Sequence, residues 1–391
     1  MSGIREGADG RSFLPGDRRS TRMDRVGFGR KTLRNLFRLS APVFLAVLLT
    51  VPALAIAQPA GPFVVAETKR SFGRLGDAIK SIGDSEGTIQ IAPGRYTDCG
   101  VQTAGRITFT AREPETVTFD GGVCEGKATL VLRGRGAIVQ GLRFTRTVVP
   151  DGNGAGIRLE RSNLIVSNTQ FIDAQSGILT ANDPSSSITI DRSTFSGLGK
   201  DPRGRGAHSL YVGKYRELKI TSSRFERGTG GHYVKSRAPV VGISGTDFDD
   251  SRGQHTNYMI DLPNGATGWI TDNTFLNGLN KDNHSVLIAI AAEGRLNSSS
   301  DLLIDHNRVA LVPGYPWKTA FVGNWAGDTL TIVDNQLPRN TADLRGSAAC
   351  DPLQCPDPVM HCGPSPCATP GSNLALRPLL RPVRSKIRDL R

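Results

Sequence analysis

ELKITSSRFERGTGGHYVKSRAPVVGISGTDF (residues 217–248) holds one full period of this chain. Its first part alternates apolar and polar residues, which puts Leu218 and Ile220 on one side of an extended strand. VVGISGTDF repeats the pattern with Val241 and Ile243, and both phrases close on a phenylalanine after a short polar run. Between them lies GHYVKSRA (231–238), a short strand that carries His232, Lys235 and Arg237 where packing residues are expected.

The same phrase recurs in both directions. TVTF, GLRF, NTQF, RSTF, SSRF, GTDF and DNTF end at Phe119, Phe144, Phe171, Phe195, Phe225, Phe248 and Phe275, at spacings of 25, 27, 24, 30, 23 and 27 residues. Seven of the fifteen phenylalanines therefore fall on one grid. Degenerate copies close at Val309 and Leu337, and in WITDNTF Ile270 takes the part of Ile220. A period near 25 with loops of variable length marks a solenoid, in which each turn buries its inward residues on the next. The Asn-rich phrases predict amides bonded from turn to turn, and assign Asn163, Asn168, Asn273 and Asn307 to structure rather than to chemistry.

SFGRLGDAIKSIG (71–83) reads as an amphipathic helix on Phe72, Leu75, Ala78, Ile79 and Ile82, followed by the strand and Pro-Gly turn of GTIQIAPGRY (87–96). A helix over the first open turn would protect an exposed strand edge. This opening and the N-x-F rungs resemble the pectin-lyase-like superfamily over residues 66–345. The resemblance implies an all-β fold, a single-stranded right-handed parallel β-helix with a short N-terminal capping helix. HSLYVG, GHYVKSRA and IDLPNG also resemble uncharacterised bacterial β-helix proteins, a likeness that implies no particular activity. The superfamily's chemistry is diverse, so function has to be argued from the site.

Three regions result: a leader (1–57), the β-helix with its helical cap (58–345) and a Cys/Pro-rich basic tail (346–391). Residues 30–57 have the basic flank, short apolar run and Ala55-Ile56-Ala57 ending of a secretory signal, with Met23 an alternative start and a membrane anchor the competing reading. Removal of the signal leaves no permanent span and predicts an exported protein, periplasmic or extracellular. Of 48 basic and 36 acidic residues, the first 57 positions hold ten and four and the last 24 hold six and one. The body between them carries 32 and 31, so global charge argues against a nucleic-acid partner. Six cysteines in an exported chain favour disulfides. Cys99 and Cys124 stand one turn apart, and Cys350, Cys355, Cys362 and Cys367 space as two further bridges, with a metal site through His361 as the alternative.

Equal phase aligns HSLYVGK (208–214), GHYVKSRA and NYMIDLPNG (257–265) on adjacent turns, about 4.8 Å apart. With Leu210/Val212, Val234/Ser236 and Ile260/Leu262 inward, Tyr211, Lys235, Arg237 and Asp261 point outward, and His208, His232 and Tyr258 stand at the strand entrances. The next turn adds His284 and Glu293. A solvent-facing ion-pair ladder is the plain alternative. Otherwise this long face suits a polymer: cations neutralise a uronate carboxylate, Lys235 or a histidine takes the C5 proton, and Tyr258 or a histidine protonates the leaving oxygen, giving β-elimination or C5 epimerisation. The catalytic candidates are thus His208, His232, Lys235, Arg237, Tyr258 and Asp261, with Tyr211, His284 and Glu293 contacting substrate. Ca²⁺ can also neutralise a uronate, but with Asp261 the one clear acid on the ladder no dedicated metal site is assigned.

The other readings are a non-catalytic glycan- or surface-binding module and a glycoside hydrolase. The hydrolase needs paired carboxylates, either Asp261 with Glu293 or Asp247, Asp249 and Asp250, although DFDDS reads better as a solvated loop. No G-x-S-x-G elbow supports an esterase. Trp317 serves equally as a sugar platform or a loop anchor.

Overall fold

A computed structural model describes residues 61–199, 207–339 and 341–346. Among the described residues each turn passes through three sheets, whose ladders run twelve, nine and ten strands long; pairing is parallel except where the twelve-stranded ladder begins, at the antiparallel strands Phe63–Val65 and Ser71–Phe72. Sheet A holds the Leu218/Ile220 strand, Tyr215–Thr221; sheet B holds Arg224–Glu226 with Phe225; sheet C holds Leu210–Val212. Parallel pairing joins each repeat strand to its counterpart one turn away: Leu218 to Val241, Phe225 to Phe248 and Leu210 to Val234. The chain is therefore a parallel β-solenoid.

The grid of phenylalanines becomes one internal column. From Phe119 to Phe275 the seven rings stack with centroids 4.6 to 5.6 Å apart, near the rise between strands. Offset stacking of this kind adds to the burial of each ring. Leu218, Ile220, Val241, Ile243 and Ile270 are all fully buried beside the column, as alternation requires.

The tight corner between sheets A and B explains the polar run before each phenylalanine. One residue adopts left-handed backbone there, at Asn168, Arg192, Ser222, Gly245, Asp272, His306 and Asp334 in successive turns. The next residue points inward and accepts the backbone N–H of its counterpart in the preceding turn. Thr169 thus bonds to Ser193, Ser193 to Ser223, Ser223 to Thr246, Thr246 to Asn273, Asn273 to Asn307 and Asn307 to Asn335. The hydroxyls of Ser193 and Ser223 donate within their own turn, to the carbonyls of Asp191 and Thr221, whereas the amides of Asn273 and Asn307 donate across to the carbonyls of Ile243 and Ile270 in the preceding turn. Asn163 and Asn168 also bond to the next turn, but outside this ladder. Asn168 occupies the left-handed position, which asparagine tolerates, and its carboxamide accepts from Arg192; Asn163 accepts the N–H of Ser187.

The helix is shorter than its sequence pattern, spanning Leu75–Ile82, while Phe72 lies in the preceding strand Ser71–Phe72. Leu75, Ala78, Ile79 and Ile82 face the first turn. Cys99 and Cys124 form a disulfide across neighbouring turns with Cα atoms 5.6 Å apart. The apolar leader and the four cysteines of the tail lie outside the described residues. Among the described residues no helix is long and apolar enough to cross a membrane.

Candidate functional site

Sheet C places the candidate residues. Leu210, Val234 and Ile260 pair across three turns, as do Tyr211, Lys235 and Asp261. Two positions before the inward residues, His208, His232 and Tyr258 stack as a second column of rings. Their centroids are 4.9 and 5.3 Å apart, with planes within 13° of parallel. Tyr211 lies beside the His208 ring at 5.8 Å.

Backbone donors fix the imidazoles. The N–H of His232 donates to Nδ1 of His208 and the N–H of Tyr258 donates to Nδ1 of His232, each at 3.2 Å. An Nδ1 that accepts leaves the ring proton on Nε2. Nε2 of His232 in turn lies 3.4 Å from Oδ2 of Asp261. Burial, reinforced by nearby Lys235, lowers the His208 pKa to about 3, and burial holds His232 well below the usual histidine range. Both rings are neutral donors at physiological pH. Burial likewise raises the pKa of the Tyr258 phenol, which keeps its proton.

Around the column runs a layer of paired charge. Lys235 Nζ donates to Asp261 at 2.7 Å and to Glu293 at 2.5 Å. Arg237 donates to Glu293 at 2.5 Å, to the side-chain oxygen Oδ1 of Asn264 at 2.7 Å and to the Tyr211 hydroxyl at 3.0 Å. The expected solvent-facing ladder is corrected: Lys235 is 7% exposed and Asp261 2%. Burial opposes the Lys235 ammonium, yet Asp261 and Glu293 outweigh it and hold its pKa above the ordinary lysine value. Lys235 is consequently unsuited to the role of proton-abstracting base. Burial pushes the Asp261 carboxyl up against the pull of Lys235, and its Oδ1 has no hydrogen-bond partner. Glu293 is the accessible acid, its side chain 44% exposed. Burial raises its pKa, but Lys235 and Arg237 prevail and keep it ionised.

His284 falls outside this column. Tyr258 is followed at its phase by Val286, because Ile260 pairs with Ile288, and Tyr258 packs against the cluster of Val286, Ala289 and Ala320. His284 instead stacks on Trp317 at 3.6 Å and approaches Tyr315, while Trp317 stays 40% exposed. The solvated-loop reading of DFDDS also fails at its centre. Asp250 is 1% exposed and accepts hydrogen bonds from Tyr233, Thr256 and Lys281. Lys281 carries no sequence signal that sets it apart from a loop lysine.

A cleft of about 290 Å³ adjoins the layer at Arg237 and Asn264. Lys214 and Arg216 also line it, and no carboxylate does. A larger cleft of about 560 Å³ lies at the far end, in the seam between the helix and the Cys99–Cys124 bridge, away from these groups. The charged layer does not fit Ca²⁺, since the point between Asp261 and Glu293 is filled by the Lys235 ammonium. Among the described residues no group of three or more His, Cys, Asp or Glu side chains is arranged to hold a metal ion.

No family model matches the chain. No curated protein matches it in sequence. Among solved structures it is similar to PfbA, a surface adhesin of Streptococcus pneumoniae, at 13% identity and a TM-score of 0.42, over 70% of this chain and 88% of that one. So distant a likeness carries no argument about this chain.

Proposed function

We propose that this is an exported β-helix protein that acts on an acidic polysaccharide, by uronate β-elimination or C5 epimerisation, on the face of sheet C. The observation that carries the reading is the cleft whose charged lining is Lys214, Arg216 and Arg237 without a carboxylate, sharing Arg237 with the charged layer. A uronate polymer supplies the missing anion. Export is supported by the apolar leader and by the Cys99–Cys124 bridge.

The roles divide by accessibility. His232, Lys235 and Asp261 are too buried to touch a polymer and act as positioning residues. Arg237, with Lys214 and Arg216, holds the carboxylate. Glu293 is the ionised, accessible group that can take the C5 proton. Tyr258 or, at the other end of the ring column, the Nε2–H of His208 donates toward the glycosidic oxygen as it leaves. In epimerisation the proton returns to C5 from the opposite side. A hydrolase finds less support, because Asp261 is closed off from a glycosidic bond.

A second reading has its own observation. Lys235, Asp261, Glu293 and Arg237 are all paired with one another, as suits a face that binds glycan without turning it over. Incubating the protein with a panel of uronate polymers separates the two. Unsaturated product by absorbance identifies a lyase, and inverted C5 signals by NMR identify an epimerase. Binding without either product assigns the non-catalytic role, and neither binding nor product overturns both.

A further inference from the structure

A second buried cluster takes no part in the proposed reaction. Lys281 and Asp250 come from adjacent turns, and their side chains are 1% and 0% exposed. Nζ of Lys281 is 3.0 Å from Oδ2 of Asp250. Thr256 Oγ1 bridges the same two groups, receiving from Lys281 at 3.2 Å and donating to Oδ2 at 2.9 Å. The other carboxyl oxygen, Oδ1, accepts the Tyr233 hydroxyl at 2.7 Å. Gly253 and Gly278 press their backbones against Asp250, and a Cβ on either would collide with it.

Each atom of a carboxyl-to-amine condensation has its partner: a nucleophilic nitrogen at the carboxyl, a donor on the oxygen that stays and a hydroxyl relay between the nitrogen and the oxygen that leaves. We propose that Lys281 and Asp250 condense to an intramolecular isopeptide bond that ties the loop after Asp247–Asp249 to the loop after Thr274–Asn277.

The step balances without any co-reactant. One proton passes from the ammonium to the carboxylate, giving a neutral amine and a neutral acid. Burial lowers the Lys281 pKa against the pull of Asp250, which eases release of that proton. Nζ attacks Cγ of Asp250, and Tyr233 stabilises the negative charge that develops on Oδ1. Thr256 relays the second nitrogen proton to Oδ2, which departs as water. One C–O bond breaks, one C–N bond forms, and oxidation states do not change. Fixed positions and the absence of bulk water replace the activation that such a condensation needs in solution.

Peptide mapping of the full chain, purified without ligand, tests this. Trypsin cannot cut at an acylated Lys281, so the expected product is a branched peptide joining residues 238–252 to 253–295, lighter by one water than the two together. Lys281→Arg removes the branch and Thr256→Val slows its appearance, while Asp250→Asn restores it with ammonia as the leaving group. Quantitative recovery of separate peptides ending at Arg252 and Lys281 from folded wild-type protein overturns the proposal, whether or not any variant folds. The result is independent of activity on polysaccharide.

Discussion

Nδ1 of His232 accepts the backbone N–H of Tyr258, and Nδ1 of His208 accepts that of His232, so two imidazoles on successive turns are held in one tautomer by the chain that follows each. A protonated ring cannot accept at Nδ1, and charging either histidine therefore breaks a bond between turns.

The first prediction concerns pH. Folded His208 stays neutral down to about pH 3, whereas the unfolded chain takes up a proton near the ordinary value of 6.5. The unfolded state thus binds more protons throughout that window, and stability falls as pH drops from about 6.5 toward 3. Each buried imidazole contributes a slope of up to ~1.4 kcal/mol per pH unit. His208→Phe keeps a ring in the column and makes the decline shallower by one such contribution. Urea unfolding at several pH values measures it, and an unchanged slope counts against the neutral assignment.

Lys235 and Glu293 bond to each other yet differ in burial, and their substitutions separate accordingly. Lys235→Met leaves Asp261 buried and unpaired, at a cost of about 3–5 kcal/mol. Glu293→Gln disturbs a partly exposed pair and costs less than about 1 kcal/mol. Equal losses in chemical denaturation would mean that Asp261 is better solvated than its burial indicates.

The corner ladder predicts an ordered pair of effects. Asn307→Ala strips the acceptor from the Asn273 N–H and the donor from the Ile270 carbonyl, and costs about 2–3 kcal/mol. Asn307→Ser restores an acceptor of the kind that Ser193 and Ser223 already provide, and recovers roughly half of that loss. Thermal melts of both variants test the ranking.

Tyr258→Phe keeps the stacked ring and removes the proton. If the face is catalytic, turnover of the responsive uronate polymer falls by about 10²-fold or more with little change in KM. On a purely binding face the same substitution leaves polymer affinity nearly unaltered, so kinetics and equilibrium binding on one variant distinguish the two roles.

Much of this molecule is legible from residue spacing. The phenylalanine column, the inward residues of sheet A and the alignment of Tyr211, Lys235 and Asp261 all follow from alternation and a period near 25, because a solenoid repeats its local geometry. What escapes is whatever depends on loops of unequal length. Burial of Lys235 and Asp261 reflects side chains such as Glu293 brought over the ladder from the following turn. His284 lies two positions from the residue that continues the column, an offset that strand patterns before it do not set. Asn168 and Thr169 are adjacent and both polar, and only the left-handed corner decides which one enters the ladder. Asp250 and Lys281 resemble ordinary loop residues until two turns are laid together.

The register of sheet C also has a genetic side. Leu210 pairs with Val234 as Val234 pairs with Ile260, so excising residues 210–233 would bring Val234 against Ile178 and Phe248 against Phe195 with every inward residue still inward. The column would lose His232 alone and juxtapose His208 with Tyr258. Whole-turn duplication or loss is thus a route by which such a face can gain or shed single members during descent, while the loops of unequal length between strands absorb smaller changes.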